Sequence, residues 1–283
     1  MILARESGRL RVVAHSAHQR QVGLAGSAWG NEHFGAPAPA PLVIDAAAAH
    51  DAGWRAWDES PGLDPRTGQP FQFLDVATAL VHGHSASVGE ASDSHPYAGL
   101  LVSLHTCGVL ADRFGWDREW PGVAGLAARV RRARGPRVAL AFLLARQRFL
   151  AAQRRHRRAL SERLATEADA ASWLAPAEVW RSYDLLQVWD ELSLHFATGG
   201  TGERTIGPPP ARSGTPATLP AFTLRSVGPR AATLSPYPFG AARVELPLEA
   251  AYVDDRSYAG TDEFVAALRA AAAETLVFTV APG

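Results

Sequence analysis

One stretch restricts this chain more than any other. Residues 42–57, LVIDAAAAHDAGWRAW, carry an alanine-rich apolar helix straight into a polar pair, His50-Asp51. Gly53, which can stop a helix, and two tryptophans, Trp54 and Trp57, follow at once. A helix that only needs to be buried has no use for a histidine and an aspartate side by side at its end. Successive helical residues point about 100° apart. From one helix end, His50 can therefore offer an imidazole nitrogen, and Asp51 a carboxylate, to the same small volume. A metal ion is the natural occupant of such a volume, and its remaining ligands have to come from elsewhere in the chain.

The rest of the composition bounds what that site can belong to. The chain has 283 residues, 47% of them hydrophobic, enough for one substantial core. Net charge is +0, so no global field favours nucleic acid or an anionic membrane, and neither is expected as a partner. Cys107 is the single cysteine; it excludes an internal disulfide framework and reads as a small buried thiol. No lysine is present, which removes Schiff-base chemistry and a lysine-bearing phosphate loop. No apolar run is long enough for a bilayer and no signal-peptide core stands at the start, so a cytoplasmic location is expected.

Read in order, residues 1–14 alternate around Glu6-Ser7-Gly8 and predict a β-hairpin. Helical spacing predicts helices over 15–29, with Ser16 as N-cap, over 42–51, over 71–88, over 95–110, from about 124 to 167, and over 173–196. Residues 112–123 read as a Trp/Gly loop and 90–94 as a polar break. The arginines of 129–158 interleave with alanine and leucine, as on a solvated helix face. Residues 200–230 are rich in Gly, Pro, Ser and Thr and read as a loop or linker. Strands are expected over 231–238, 241–253 and 275–281, with a helix over 261–273. The expected fold is mostly α: a helical bundle over 1–200 with the N-terminal hairpin, the linker, and a β/α segment over 231–283 packing on the same domain, its strands joining the hairpin in one small β element.

Five residues are metal-ligand types at or near the apolar side of predicted helices: His18, His50, Asp51, His105 and Asp190. Helix bundles build metal sites by projecting such groups inward from facing helices. Imidazole with carboxylate suits a divalent ion such as Fe, Mn, Zn or Mg, one or two of them. The order of one histidine, then His-Asp, then a late aspartate resembles the HD superfamily of metal-dependent phosphohydrolases. That resemblance implies an HD-like all-helical core. It also implies metal held by His18, His50, Asp51 and Asp190, with His105 matching an extra histidine of two-metal members, and hydrolysis of a phosphate ester. The run HDAGWRAWDESPGLDPRTGQPFQF, with PYAGLLVSLH and WDELSL further on, is similar to the uncharacterised family known as domain of unknown function 3891. That family brings no activity with it, and a glutamine is expected in it where this chain has His15.

Each candidate also has an ordinary structural reading. His50-Asp51 can cap a helix end; His105 can be a hydrogen-bonded core histidine; Asp190 can pair with Arg181 or Arg146, and Asp184 rivals it. Trp54, Trp57 and Tyr97 read as core or pocket wall, and His82, His84 and His95 as surface residues. The metal reading prevails because otherwise several helices would each bury an ionisable group separately. The expectation is therefore a metal-dependent hydrolase of a small, phosphorylated molecule, with His105 and Arg55 as catalytic groups and the oligomeric state open. An oxygen-activating di-iron protein of inositol-oxygenase type, and a helical protein that binds a ligand or partner without catalysis, are the alternatives.

Overall fold

The architecture comes from a computed structural model, which describes residues 1–76, 78–111, 126–207, 211–212, 215–216 and 219–283. The loop expected over 112–123 lies outside the described residues. The chain opens with the expected hairpin, β1 (Ile2–Glu6) and β2 (Arg9–Val13). Ser7 and Gly8 both take positive φ, 49° and 79°, the backbone that a two-residue turn between twisted strands requires. Next come α1 (His15–Ala28), α2 (Ala40–Ala49), a single 3-10 turn at Ala52–Trp54, and α3 (Arg55–Glu59). The helical body continues with α4 (Thr78–Ser94), α5 (Pro96–Leu110), α6 (Leu126–Arg134), α7 (Pro136–Leu164), α8 (Ala170–Trp173) and α9 (Pro176–Ala197). The remainder is β3 (Glu203–Ile206), the short pair β4 (Ala211–Arg212) and β5 (Thr215–Pro216), then β6 (Phe222–Gly228), β7 (Ala231–Ser235), β8 (Val244–Asp254), α10 (Thr261–Ala270) and β9 (Ala273–Pro282).

The expectation of a mostly α, HD-like bundle with a small β element is overturned by the sheet. Seven strands join in the order β1-β2-β8-β9-β7-β6-β3, antiparallel except where β7 runs parallel to β9. The fold is α/β. The N-terminal hairpin does join the C-terminal strands, through Leu10↔Val253 and its neighbours. What the expectation lacked was the segment 200–230. Its glycines and prolines punctuate two further strands, β3 and β6, and within β6 Phe222 and Leu224 alternate inward. Composition concealed that alternation, because turn residues on both sides dilute a strand of only a few residues.

One face of the sheet packs on helices. Along β8, Val244, Leu246, Leu248 and Ala250 point inward, while Glu245, Pro247 and Glu249 point to solvent. α1 lies against that inner face and is pinned to it by Gln21, whose side-chain amide donates to the Leu246 carbonyl at 2.8 Å. α5 is buried from Tyr97 to Leu110 and α9 from Ser182 to Ala197. A helix that is apolar all round has to be enclosed by others, and these two form the centre of the molecule. Cys107 sits inside α5 as an inert buried thiol, its pKa raised by burial.

Local details depart from sequence expectation in two places. The N-cap of α1 is Ala14, not Ser16. The polar residues 90–94 do not break α4, which runs on to Ser94. Gly53 does more than stop a helix. A Cβ on it would lie 2.3 Å from the Gly83 carbonyl and 2.4 Å from the Ser87 backbone nitrogen, and a Cβ on Gly83 would lie 2.9 Å from the Trp54 ring. The two glycines let the turn after α2 touch α4, which brings α4 within reach of Asp51.

Gly53→Ala is therefore expected to cost at least about 2 kcal/mol by forcing the two backbones apart. Gly89→Ala, at an exposed position of α4 with open space around it, should stabilise by roughly 0.5–1 kcal/mol. Urea denaturation midpoints of the two variants check both signs.

Candidate metal centre

Helix geometry brings the sequence candidates together. His18 projects from α1, His50 is the C-cap of α2, Asp51 follows it, and Asp190 lies on α9. His18, His50 and Asp51 each offer a ligand atom, all within 4.8 Å of one another. His18 and His50 are fully buried and Asp51 is partly so. Asp190, not Asp184, completes the group: its Oδ1 lies 3.1 Å from His18 Nε2 and 3.8 Å from His50 Nε2. The arginines that might have claimed it are used elsewhere, Arg181 on the carbonyls of Gly35 and Ala36 and Arg146 on that of Leu110.

Hydrogen bonds at the far side of each ring decide what the near side presents. His50 Nδ1 donates to the Ala47 carbonyl at 2.7 Å, which leaves the lone pair on Nε2. His18 Nδ1 lies 2.8 Å from Ser193 Oγ, and that hydroxyl passes its own proton to Gln21 Oε1 at 2.7 Å. Ser193 therefore accepts from His18 Nδ1, while His18 Nε2 lies at hydrogen-bond distance, 3.1 Å, from Asp190 Oδ1. The chain His18–Ser193–Gln21–Leu246 ties the imidazole to the sheet. Orientation of a ligating histidine through its other nitrogen is the usual support of a metal site.

Both imidazoles thus turn Nε2 toward carboxylates, His18 in a hydrogen bond with Asp190 and His50 without one. His50 Nε2 is 3.4 Å from Asp51 Oδ2, a close charge contact without hydrogen-bond geometry, and the atom has no hydrogen-bond partner among the described residues. Acceptors facing acceptors in a buried volume repel unless a cation lies between them. A proton is the smallest such cation. Burial, the largest single influence, pushes His50 down, but the negative charge of Asp51, with that of Asp190 behind it, raises it to about 9. Asp51 is held well below the carboxylate range: burial raises it, and His50, His15 and His18 together more than reverse that. A divalent ion meets the same need. Ligands about 2.1 Å from such an ion sit at most about 4.2 Å apart, so the 4.8 Å cluster has to close by only a fraction of an ångström.

His105, on α5, sits beside this group, its ring centroid 4.8 Å from that of His50 and its Nδ1 2.7 Å from the Gln187 side-chain amide. It lines a cavity of ≈ 20 Å³ together with His15, Asp51, Trp54, His84 and Asp190. That is room for about one water molecule. Arg55 stands apart. It is exposed, 3.4 Å from Glu90, and lines an outer pocket of ≈ 250 Å³ with Ser16, Gln19, Asp51, Asp58 and Glu59. Asp51 lies in the wall of both spaces.

Two participants escape a reading of the sequence. His84 was expected at the surface, yet it is 3% exposed and meets Trp54 edge-on at 5.6 Å. The signal was present, since Leu80, His84, Ser87 and Ala91 recur at helical spacing and share the buried face of α4. His15 was set aside, yet it is buried and stacked on Trp54 at 4.6 Å. His82 is exposed and His95 caps α5, its Nδ1 accepting from the Tyr97 N–H. Trp54, Trp57 and Tyr97 serve as core and wall.

Comparison with known proteins adds one finding. The family model described as Protein of unknown function (DUF3891) matches residues 1–255. The chain belongs to the DUF3891 family. No curated protein and no solved structure matches it. The likeness to the HD superfamily gains no support from these comparisons. The DUF3891 match covers the whole ligand set and most of the sheet, so the site and the strands that back it belong to one family unit. Among the described residues, no helix is long and apolar enough to cross a membrane.

The raised His50 has a consequence for the metal-stripped protein. A folded-state pKa above the unfolded one adds stability that is complete below about 6.5 and lost as pH rises through about 9. The melting temperature of the stripped protein should fall across that window, and the His50→Gln variant should show a flatter profile there.

Proposed function

We propose that this DUF3891 protein is a metal-dependent hydrolase acting on a phosphate ester of a small molecule. The observation that carries the reading is the cluster of ligand atoms on His18, His50 and Asp51, with Asp190 Oδ1 3.1 Å from His18 Nε2. A divalent ion held there supplies a water acidified for attack and positive charge for phosphoryl oxygens. The order His…His-Asp…Asp resembles that of the HD phosphohydrolases, and phosphate-ester hydrolysis is proposed on that resemblance.

The chain's own groups divide the remaining work by position. Asp51 connects the inner cavity to the outer pocket, so a substrate in the outer pocket reaches the ion from the Asp51 side. Arg55, in that pocket, neutralises phosphate charge at the expense of its weak contact with Glu90. The pocket's size suits a small ester. His105 faces a space that holds a water and excludes a leaving group, so its role is to hold a second ion with Asp51 rather than to protonate the departing oxygen.

One observation favours a second chemistry at the same site. Three histidines, His15, His84 and His105, line the cavity beside Asp51, and nitrogen-rich ligand sets suit iron. A pair of irons there would activate dioxygen, and an oxo-bridge absorption band would reveal it; colourless, iron-free protein removes this alternative.

Protein purified without a histidine tag should contain at least one equivalent of divalent metal per chain by elemental analysis. Asp51→Ala should lower metal content at least tenfold and abolish hydrolysis of p-nitrophenyl phosphate. Arg55→Ala should retain the metal and raise KM about tenfold. Folded protein that stays metal-free after growth and dialysis with Mn, Fe and Zn would end this reading.

A further inference from the structure

His15 is a buried side chain to which the hydrolase reading assigns no role. Asp58 holds it from two directions: Oδ2 accepts from the His15 backbone N–H at 2.6 Å and Oδ1 from ring Nδ1 at 2.8 Å. The amino group of Met1 meets the same Oδ1 at 2.5 Å and lies 2.9 Å from Nδ1. Nδ1 thus meets both the carboxylate and the amino group, and in the tautomer that donates to Asp58 the lone pair is on Nε2. Trp54 stacks on the ring at 4.6 Å and 18°, and Phe73 meets its edge, so the ring cannot swing away. The opposite atom, Nε2, is buried and has no hydrogen-bond partner among the described residues. His15 lines the ≈ 20 Å³ cavity with Asp51, His84 and His105.

A histidine buried only for packing would have both ring nitrogens satisfied, because a buried acceptor without a partner is costly. Here the far nitrogen is anchored by a carboxylate and the near one is left open beside other imidazoles. A carboxylate behind an imidazole is the arrangement that orients ligating histidines and strengthens their donor nitrogen. From this juxtaposition we propose that His15 is a ligand of the second divalent ion, which occupies the inner cavity between His15, His84, His105 and Asp51, and that Asp58 is its positioning residue. The inference rests on the metal-centre reading above and extends it by naming the ion's place and a ligand from the start of α1. Asp51 then bridges the two ions, consistent with its place on both sides of the site. A water in the cavity, donating to His15 Nε2, is the competing occupant.

Zinc binding to chelator-stripped, untagged full-length protein separates the cases. Isothermal titration should show two Zn(II) sites per chain. His15→Gln should keep one site with unchanged affinity and weaken the other at least tenfold. Asp58→Asn should weaken that same site 10–100-fold, the range for loss of a supporting carboxylate. Circular dichroism monitors folding of both variants. Zinc anomalous scattering from crystals of the loaded wild type needs no variant: a second peak should lie about 2.1 Å from His15 Nε2. One zinc per chain, or two zinc ions with none beside His15 and no loss in His15→Gln, overturns the assignment and leaves the hydrolase reading standing. No bound zinc overturns both.

Discussion

The crowding of imidazoles and carboxylates into one small space governs the centre of this molecule. His18, His50, Asp51 and Asp190 bring imidazole nitrogens and carboxylate oxygens to within a few ångströms of one another in a largely buried volume. Such a cluster is unfavourable without a cation, since buried charges are costly unless paired. The surrounding structure holds it in place all the same. Ala47 fixes one imidazole, and the Ser193–Gln21–Leu246 chain fixes another by anchoring it to β8. The sheet is therefore the wall against which α1 and its histidine are set.

The helices around the site divide into those that supply ligands and those that close it off. α5 and α9 are enclosed on all sides and carry His105 and Asp190 on rigid axes. The contact between Gly53 and Gly83 draws α4 against the turn after α2, and Trp54 fills the angle between them while stacking on His15. The result is an inner cavity for a water or an ion and an outer pocket for something larger, with Asp51 between them. The surrounding charges raise the pKa of His50 to about 9, so any cation bound at this group competes with its proton.

Much of the site could be read before any coordinates. The His50-Asp51 pair announced itself by sitting at the end of an apolar helix, and His18, His105 and Asp190 by lying near the apolar side of theirs. His84 was lost because its helix was taken to end early in a polar stretch, although its spacing from Leu80, Ser87 and Ala91 marked it as inward. His15 was lost for a different reason. A residue at the first position of a helix has no periodicity behind it, and its burial depends on Asp58, 43 positions away.

The α-helices, the opening hairpin and the strands near the C-terminus follow from local patterns of hydrophobicity and turn residues, and those patterns are properties of the sequence itself. So is the choice of imidazole and carboxylate as the polar groups to be buried. The seven-stranded sheet is not of that kind. It joins β2 to β8 across more than two hundred residues, and it recruits β3 and β6 from a stretch that reads as a linker. Pairing over such separations is selected by the packing of the whole chain, because a short strand gains its stability from neighbours and not from its own residues. The same holds for the second cavity: only the close approach of two glycine-bearing backbones places His15, His84 and His105 around one small space.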